Sequence, residues 1–107
     1  MEDAERRRYP RAVARETVVV ARQSGTRRSV SHMESIGLGG LFVLTRNPVP
    51  IRSMVKVLMD LPSGEVRARA VVRRVMTTRG MAVNFIAMTQ EDRARLNRAL
   101  QPMFAMQ

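Results

Sequence analysis

The fold class is decided by one stretch of the chain, Val55-Lys56-Val57-Leu58-Met59-Asp60-Leu61-Pro62-Ser63-Gly64-Glu65-Val66-Arg67-Ala68-Arg69-Ala70-Val71-Val72. On both sides of Pro62-Ser63-Gly64, every second residue is apolar, and this two-residue period is that of a strand with one buried face. The residues between are typical of a hairpin turn, in which glycine supplies a positive φ. The stretch therefore predicts two antiparallel strands joined by a three-residue turn.

The second of these strands is predicted to continue to Met76 and to carry a charged outer face. Its outward residues are Glu65, Arg67, Arg69 and Arg73. Val75 breaks the alternation, which predicts a β-bulge near Arg73-Arg74.

Further strands are predicted on both sides of the hairpin from β-branched or apolar runs bounded by turn residues. They lie within 12–21, over 28–34 with Val30 facing inward, over 41–44 with both faces buried, and over 81–87. From Thr89 the period becomes helical, with Thr89 as the N-cap and Leu96, Leu100 and Met103 as an apolar stripe. Five or six antiparallel strands followed by a helix indicate a β-barrel or sandwich.

The composition narrows the possible functions. The chain has 107 residues, of which 45% are apolar, and this suits a single domain with one core. It contains no cysteine and a single histidine, so disulfides, thiolate sites and multi-histidine metal sites cannot form within it. No apolar window is long enough to cross a membrane, and we expect a cytoplasmic protein without a cofactor. Nine methionines are expected to fill the core.

The charge is strongly positive and is concentrated near the beginning of the chain. A net charge of +10 indicates an anionic partner, which is a nucleic acid, a nucleotide or an acidic protein. The segment Arg6-Arg7-Arg8-Tyr9-Pro10-Arg11 places four guanidinium groups within six positions, and guanidinium donors suit phosphate oxygens and guanine. Residues 1–12 are predicted to form a flexible basic arm, and 13–107 the barrel and its helix.

A second segment, Ser35-Ile36-Gly37-Leu38-Gly39-Gly40-Leu41-Phe42-Val43, requires a sharp turn or a close approach of the backbone. Together with the arginine segment it resembles the PilZ domain, a bacterial module that binds cyclic-di-GMP. Arg7 and Arg11 fit the family's Arg-x-x-x-Arg motif, with Arg6 as an additional arginine, and Ser35, Gly37 and Gly40 stand at the positions of its Asp/Asn-x-Ser-x-x-Gly motif. The resemblance implies a mainly β, six-stranded antiparallel barrel with a C-terminal helix, and a cyclic-di-GMP site formed by these six residues.

The second motif departs from the family pattern at two of its three positions. Ser35 replaces Asp or Asn, and Gly37 replaces Ser. Two missing polar contacts at about 0.5–1.5 kcal/mol each would weaken binding roughly tenfold to several hundredfold. Glu34 is acidic and adjacent, but strict alternation would point it away from Ser35.

Three functions follow as hypotheses. The chain is a cyclic-di-GMP receptor that signals to a protein partner, or a degenerate PilZ-like domain that acts by protein–protein interaction through Arg67, Arg69 and Arg73. Nucleic-acid binding is the least favoured, because stacking aromatics are scarce. Catalysis is not expected, because Ser31 and His32 are neighbours on a strand and face opposite ways. The family is linked to motility, polysaccharide production and surface behaviour, so the pathway and the partner stay open.

Overall fold

The computed structural model describes residues 11–13, 17–22 and 28–105, which form an antiparallel sheet followed by a helix. The elements are β1 Arg11–Val13, β2 Thr17–Arg22, β3 Arg28–Gly37, β4 Gly40–Leu44, β5 Met54–Leu61, β6 Gly64–Met76, β7 Gly80–Ala87 and α1 Gln90–Ala105. The order around the barrel is β3, β2, β5, β6, β7 and β4, and the pairing of β4 with β3 closes it. The predicted six-stranded barrel with a C-terminal helix is therefore confirmed.

The first strand, β1, extends the line of β2. Ser35 and Ile36 of β3 pair with β4 on one edge and with β1 on the other, which is the edge that β2 occupies further along β3. Arg11 and Ala12 therefore belong to a barrel strand, where the sequence had predicted the end of a flexible arm. The rest of that predicted arm, residues 1–10, lies outside the described residues, as does the turn predicted at 23–26.

Aliphatic side chains and methionines fill the barrel. Met33, Met59 and Met81 are each at most 2% exposed, so the prediction that methionine fills the core is confirmed for these three. The alternate residues of the central hairpin point inward as predicted, with Val55, Val57 and Met59 buried on one strand; their partners on the other are Val66, Ala68, Ala70 and Val72. No polar or charged side chain in the described part of the chain is fully buried.

The hairpin turn is one residue shorter than predicted. Leu61 pairs with Gly64, so only Pro62 and Ser63 lie between the strands. Gly64 has the expected positive φ, 120°, but it is the first residue of β6. Pro62 cannot adopt the positive φ of a primed turn, so the positive φ that this connection needs falls on Gly64, at the end of the ladder. The predicted bulge is confirmed, because the register between β6 and β7 shifts between Val72 and Arg74.

Two predictions about side-chain direction in β3 are wrong, and the first of them fails because of a second bulge. The register with β4 shifts between Met33 and Ser35, which makes Glu34 the additional residue. Met33 and Ile36 are both buried, so Glu34 and Ser35 between them both face outward and Glu34 does not point away from Ser35. Val30, predicted to face inward, is 71% exposed, because its position in the alternation places it on the outer face.

The helix begins where the sequence predicts and lies against the hairpin end of the barrel. The Asp92 backbone N–H donates to Thr89 Oγ1 at 3.0 Å, as an N-cap requires. Leu96 and Leu100 are fully buried in the core, and Ser63 Oγ donates to the Arg95 carbonyl at 2.7 Å. Met103 lies among residues whose side chains are not described. Within the described chain, no helix is both long and apolar enough to cross a bilayer.

Candidate functional site

Strand pairing brings the two predicted motifs together. Arg11, the last arginine of the first motif, is the Cα partner of Gly37, and two residues further along Val13 is the partner of Ser35. Residues opposite each other on antiparallel strands have Cα atoms only about 4.5–5.5 Å apart. Arg6 and Arg7 lie outside the described residues, so the structure shows the position of the motif through Arg11 alone.

The second motif contributes few polar groups at this place. Ser35 is half-buried and faces outward, so its hydroxyl is available beside β1. Gly37 is buried and has no side chain, and Arg11 lies opposite it in the ladder. The motif thus offers one hydroxyl near the end of the arginine segment.

The packing of β4 against β7 requires glycine at position 40. A Cβ at this position would overlap the carbonyl oxygen of Val83 and lie 3.1 Å from Asn84 Cα. Both atoms belong to the backbone of β7, to which β4 is paired, so they cannot move independently. Only glycine permits this approach, and the need for Gly40 is explained by strand packing without reference to a ligand.

Beside Ser35 the structure shows a charged cluster that the sequence did not predict. Glu34 forms an ion pair with Arg79, which lies in the turn between β6 and β7. The Arg79 guanidinium also lies over the ring of Phe42, 5.6 Å from its centroid, and Phe42 is the partner of Ser35 on β4. The cluster depends on the bulge, which turns Glu34 outward, and no local sequence pattern identified that bulge.

One outer face of the barrel thus carries a cationic donor, the Arg79 guanidinium, and two acceptors, the Glu34 carboxylate and the Ser35 hydroxyl. Guanidinium groups donate to phosphate oxygens, and a carboxylate or hydroxyl accepts from the N–H groups of a base edge. Throughout the described ranges, no three His, Cys, Asp or Glu side chains are grouped so that they could hold a metal ion.

Comparison with known proteins settles the family. The model of the PilZ domain matches residues 5–101, which is nearly the whole chain. The chain belongs to the PilZ domain family. No curated protein matches it significantly.

Several solved structures share the fold at low sequence identity. One is the inhibitor of motility MotI/DgrA of Bacillus subtilis, with a TM-score of 0.78 and 19% identity over 92% of this chain and 52% of that one. Another is the MrkH–c-di-GMP complex of K. pneumonia, with a TM-score of 0.78 and 18% identity over 92% and 52%. This chain therefore spans about half the length of these two proteins.

A third structure is similar in length to this chain. The PilZ domain of YcgR from Escherichia coli, solved with c-di-GMP, has a TM-score of 0.76 and 15% identity, and the match covers 94% of this chain and 93% of that one. At these identities the likeness establishes the fold alone, which is the barrel and its helix.

Proposed function

We propose that this PilZ domain is a regulatory binding module, not an enzyme, that binds cyclic-di-GMP and transmits its presence to a protein partner. The observation that carries the proposal is the pairing of Arg11 with Gly37 and of Val13 with Ser35, which places Arg11, the last residue of the arginine segment, beside the second motif. In the proposed site Arg6, Arg7 and Arg11 bind the phosphates and guanine, Ser35 supplies a hydroxyl, and Gly37 and Gly40 allow the backbone to come close.

Glu34 extends this proposal, because it supplies the carboxylate that the family motif has at the position of Ser35. The bulge turns Glu34 to the same face as Ser35, and a carboxylate accepts two N–H donors from a guanine edge. Arg79, which pairs with Glu34, would then turn toward a phosphate of the bound ligand. The negative charge missing from the motif is thus replaced from the neighbouring residue.

A second function is favoured by a different observation. Ser35 lacks the carboxylate or amide of the family motif, and Gly37 lacks its hydroxyl. Glu34 already has a cationic partner, and strand packing alone explains the need for Gly40. On these grounds the alternative is a degenerate PilZ domain that no longer binds the nucleotide and acts only through protein contacts.

Calorimetric titration with cyclic-di-GMP tests the proposal on the wild-type chain and on Arg7→Ala and Arg11→Ala. Each lost charge-assisted hydrogen bond is worth about 1.5–3 kcal/mol, so each variant should bind about ten- to a hundredfold more weakly. Arg93→Ala on the exposed side of α1 is the matched control and should bind like the wild type. Absence of saturable binding by the wild type, or equal losses in all three variants, would favour the degenerate domain.

The converse experiment restores the family residue. Ser35→Asn should tighten binding by up to about tenfold, because it adds one hydrogen bond of about 0.5–1.5 kcal/mol. Glu34→Gln in the wild-type background should weaken binding if Glu34 replaces the missing carboxylate. An unchanged dissociation constant in Glu34→Gln would remove Glu34 from the site and leave the arginine part of the proposal intact.

A further inference from the structure

A groove of about 640 Å³ crosses the outer face of the barrel on β2, β5 and β6 and ends at the beginning of α1. Two rows of paired residues form its floor and one side. In the first row, Val19 of β2 pairs with Leu58 of β5, which pairs with Arg67 of β6. The second row lies two residues further along each strand, on the same face, and consists of Ala21, Lys56 and Arg69.

The first row continues as an apolar strip beyond the groove. Val30 of β3 is the partner of Val19, so Val30, Val19 and Leu58 lie side by side across three strands. Val30 is 71% exposed and the other two are half-buried. A single exposed apolar residue is ordinary on a protein surface, but one that adjoins two half-buried apolar residues beside a concave surface indicates a contact site.

The charges of the groove are predominantly positive. Lys56, Arg67 and Arg69 are exposed, and none of the three forms an ion pair with a carboxylate in the part of the chain that the structure describes. The one acidic residue that lines the groove, Asp92, is 15% exposed and is paired with Arg95 at 3.1 Å. Asp60 and Glu65, the nearest other acids on this face, form the next row toward the hairpin turn.

We infer that this groove binds an acidic protein segment that carries large apolar side chains. Carboxylates of the segment would face Lys56, Arg67 and Arg69, while its apolar side chains would cover Val19, Leu58 and Val30. Every strand beneath the groove is paired on both edges, so the partner is held by side-chain contacts and adds no strand to the sheet. A duplex nucleic acid would use the cations but would leave the apolar strip without a function, and a flat bilayer would not fill a groove.

The inference does not depend on nucleotide binding. The described part of the proposed cyclic-di-GMP site lies on β1, β3, β4 and the turn at Arg79, whereas the cations of the groove lie on β5 and β6. Substitutions at Arg67 and Arg69 are therefore expected to leave the heat of cyclic-di-GMP titration unchanged, which separates a failure of this inference from a failure of the proposed function.

Fluorescence anisotropy with labelled synthetic peptides tests the inference on the full chain. The probe is a peptide that alternates Glu and Leu, and the controls are a peptide that alternates Glu and Ser and a labelled DNA duplex at the same salt concentration. Arg67→Glu/Arg69→Glu reverses two charges in the groove, and Arg93→Glu/Arg98→Glu reverses two exposed charges on α1 as the matched control. Val30→Ser removes exposed apolar surface without disturbing the core.

The Glu-Leu peptide should bind the wild type. Arg67→Glu/Arg69→Glu should bind this peptide at least about tenfold more weakly, and Arg93→Glu/Arg98→Glu should change its dissociation constant less than about twofold. Val30→Ser should weaken binding of the Glu-Leu peptide only. The inference is overturned if the Glu-Leu peptide does not bind, if both double variants lose affinity equally, if the Glu-Ser peptide binds as tightly, or if the duplex binds more tightly. Circular dichroism of each variant verifies that the barrel is folded.

Discussion

Gly40→Ala tests whether glycine is needed at this position for strand packing or for binding of the ligand. The new methyl group would overlap the Val83 carbonyl oxygen and lie 3.1 Å from Asn84 Cα, closer than the roughly 3.5 Å of a favourable carbon contact. Relief requires β4 and β7 to separate near the hydrogen bond from the Phe85 N–H to the Gly39 carbonyl, which is 2.9 Å long. Overpacking of about 1–3 kcal/mol and the weakening of about one ladder hydrogen bond give a loss of about 2–4 kcal/mol.

Urea unfolding measures this loss, with Gly64→Ala as the comparison. At Gly64 a Cβ would meet only the Arg95 side chain, at 3.0 Å, so the cost is mainly that of the positive φ, about 1–3 kcal/mol. Gly40→Ala should therefore be the less stable of the two. If Gly40→Ala unfolds at the same urea concentration as the wild type while its cyclic-di-GMP binding is lost, the packing argument is refuted and Gly40 is a ligand residue.

Three further predictions concern the helix and the charged cluster. Leu96→Ala should lower the free energy of unfolding by about 2–5 kcal/mol, because Leu96 is fully buried where α1 meets the barrel; a loss near zero in urea unfolding would contradict this packing. Thr89→Ala should cost about 1 kcal/mol by removing the N-cap, with Thr78→Ala in an exposed turn as a control that should cost little. Arg79→Ala should cost less than about 1 kcal/mol, because the side chains of Arg79 and Glu34 are 52% and 37% exposed, and thermal unfolding that shows a much larger loss would mean that the cluster stabilises the barrel.

The elements that sequence reasoning predicted well are those with a strong local signal. Alternation identified the buried face of β5 and β6, the parity break at Val75 identified the bulge near Arg74, and Thr89 identified the first turn of α1. Errors arose where the signal is weak. In β3, Met33 is the apolar residue nearest to Val30, and its odd spacing of three residues means that only one of the two can face inward; that residue is Met33.

In the candidate site, too, the residues with a local sequence signal were predicted and those without one were missed. The residues of both motifs were identified from their resemblance to the family motifs, and the structure places Arg11 opposite Gly37 in the ladder. Glu34 and Arg79 were missed, because they are 45 residues apart in the chain and meet only after the barrel has closed. The groove on β2, β5 and β6 was foreseen only through its arginines, since its apolar strip joins residues from three different strands.

The sequence by itself determined the class of the protein: a two-residue apolar period, turn residues between the runs and a capped helix indicate an antiparallel barrel or sandwich, and the resemblance of the motifs to the PilZ domain selects the barrel. Tertiary structure alone decided which residues share a surface. A bulge is a mismatch between two paired strands, so the direction of Glu34 depends on β4 as much as on β3. The space around Gly40 depends likewise on β7, and a single strand contains no information about the backbone that will lie against it.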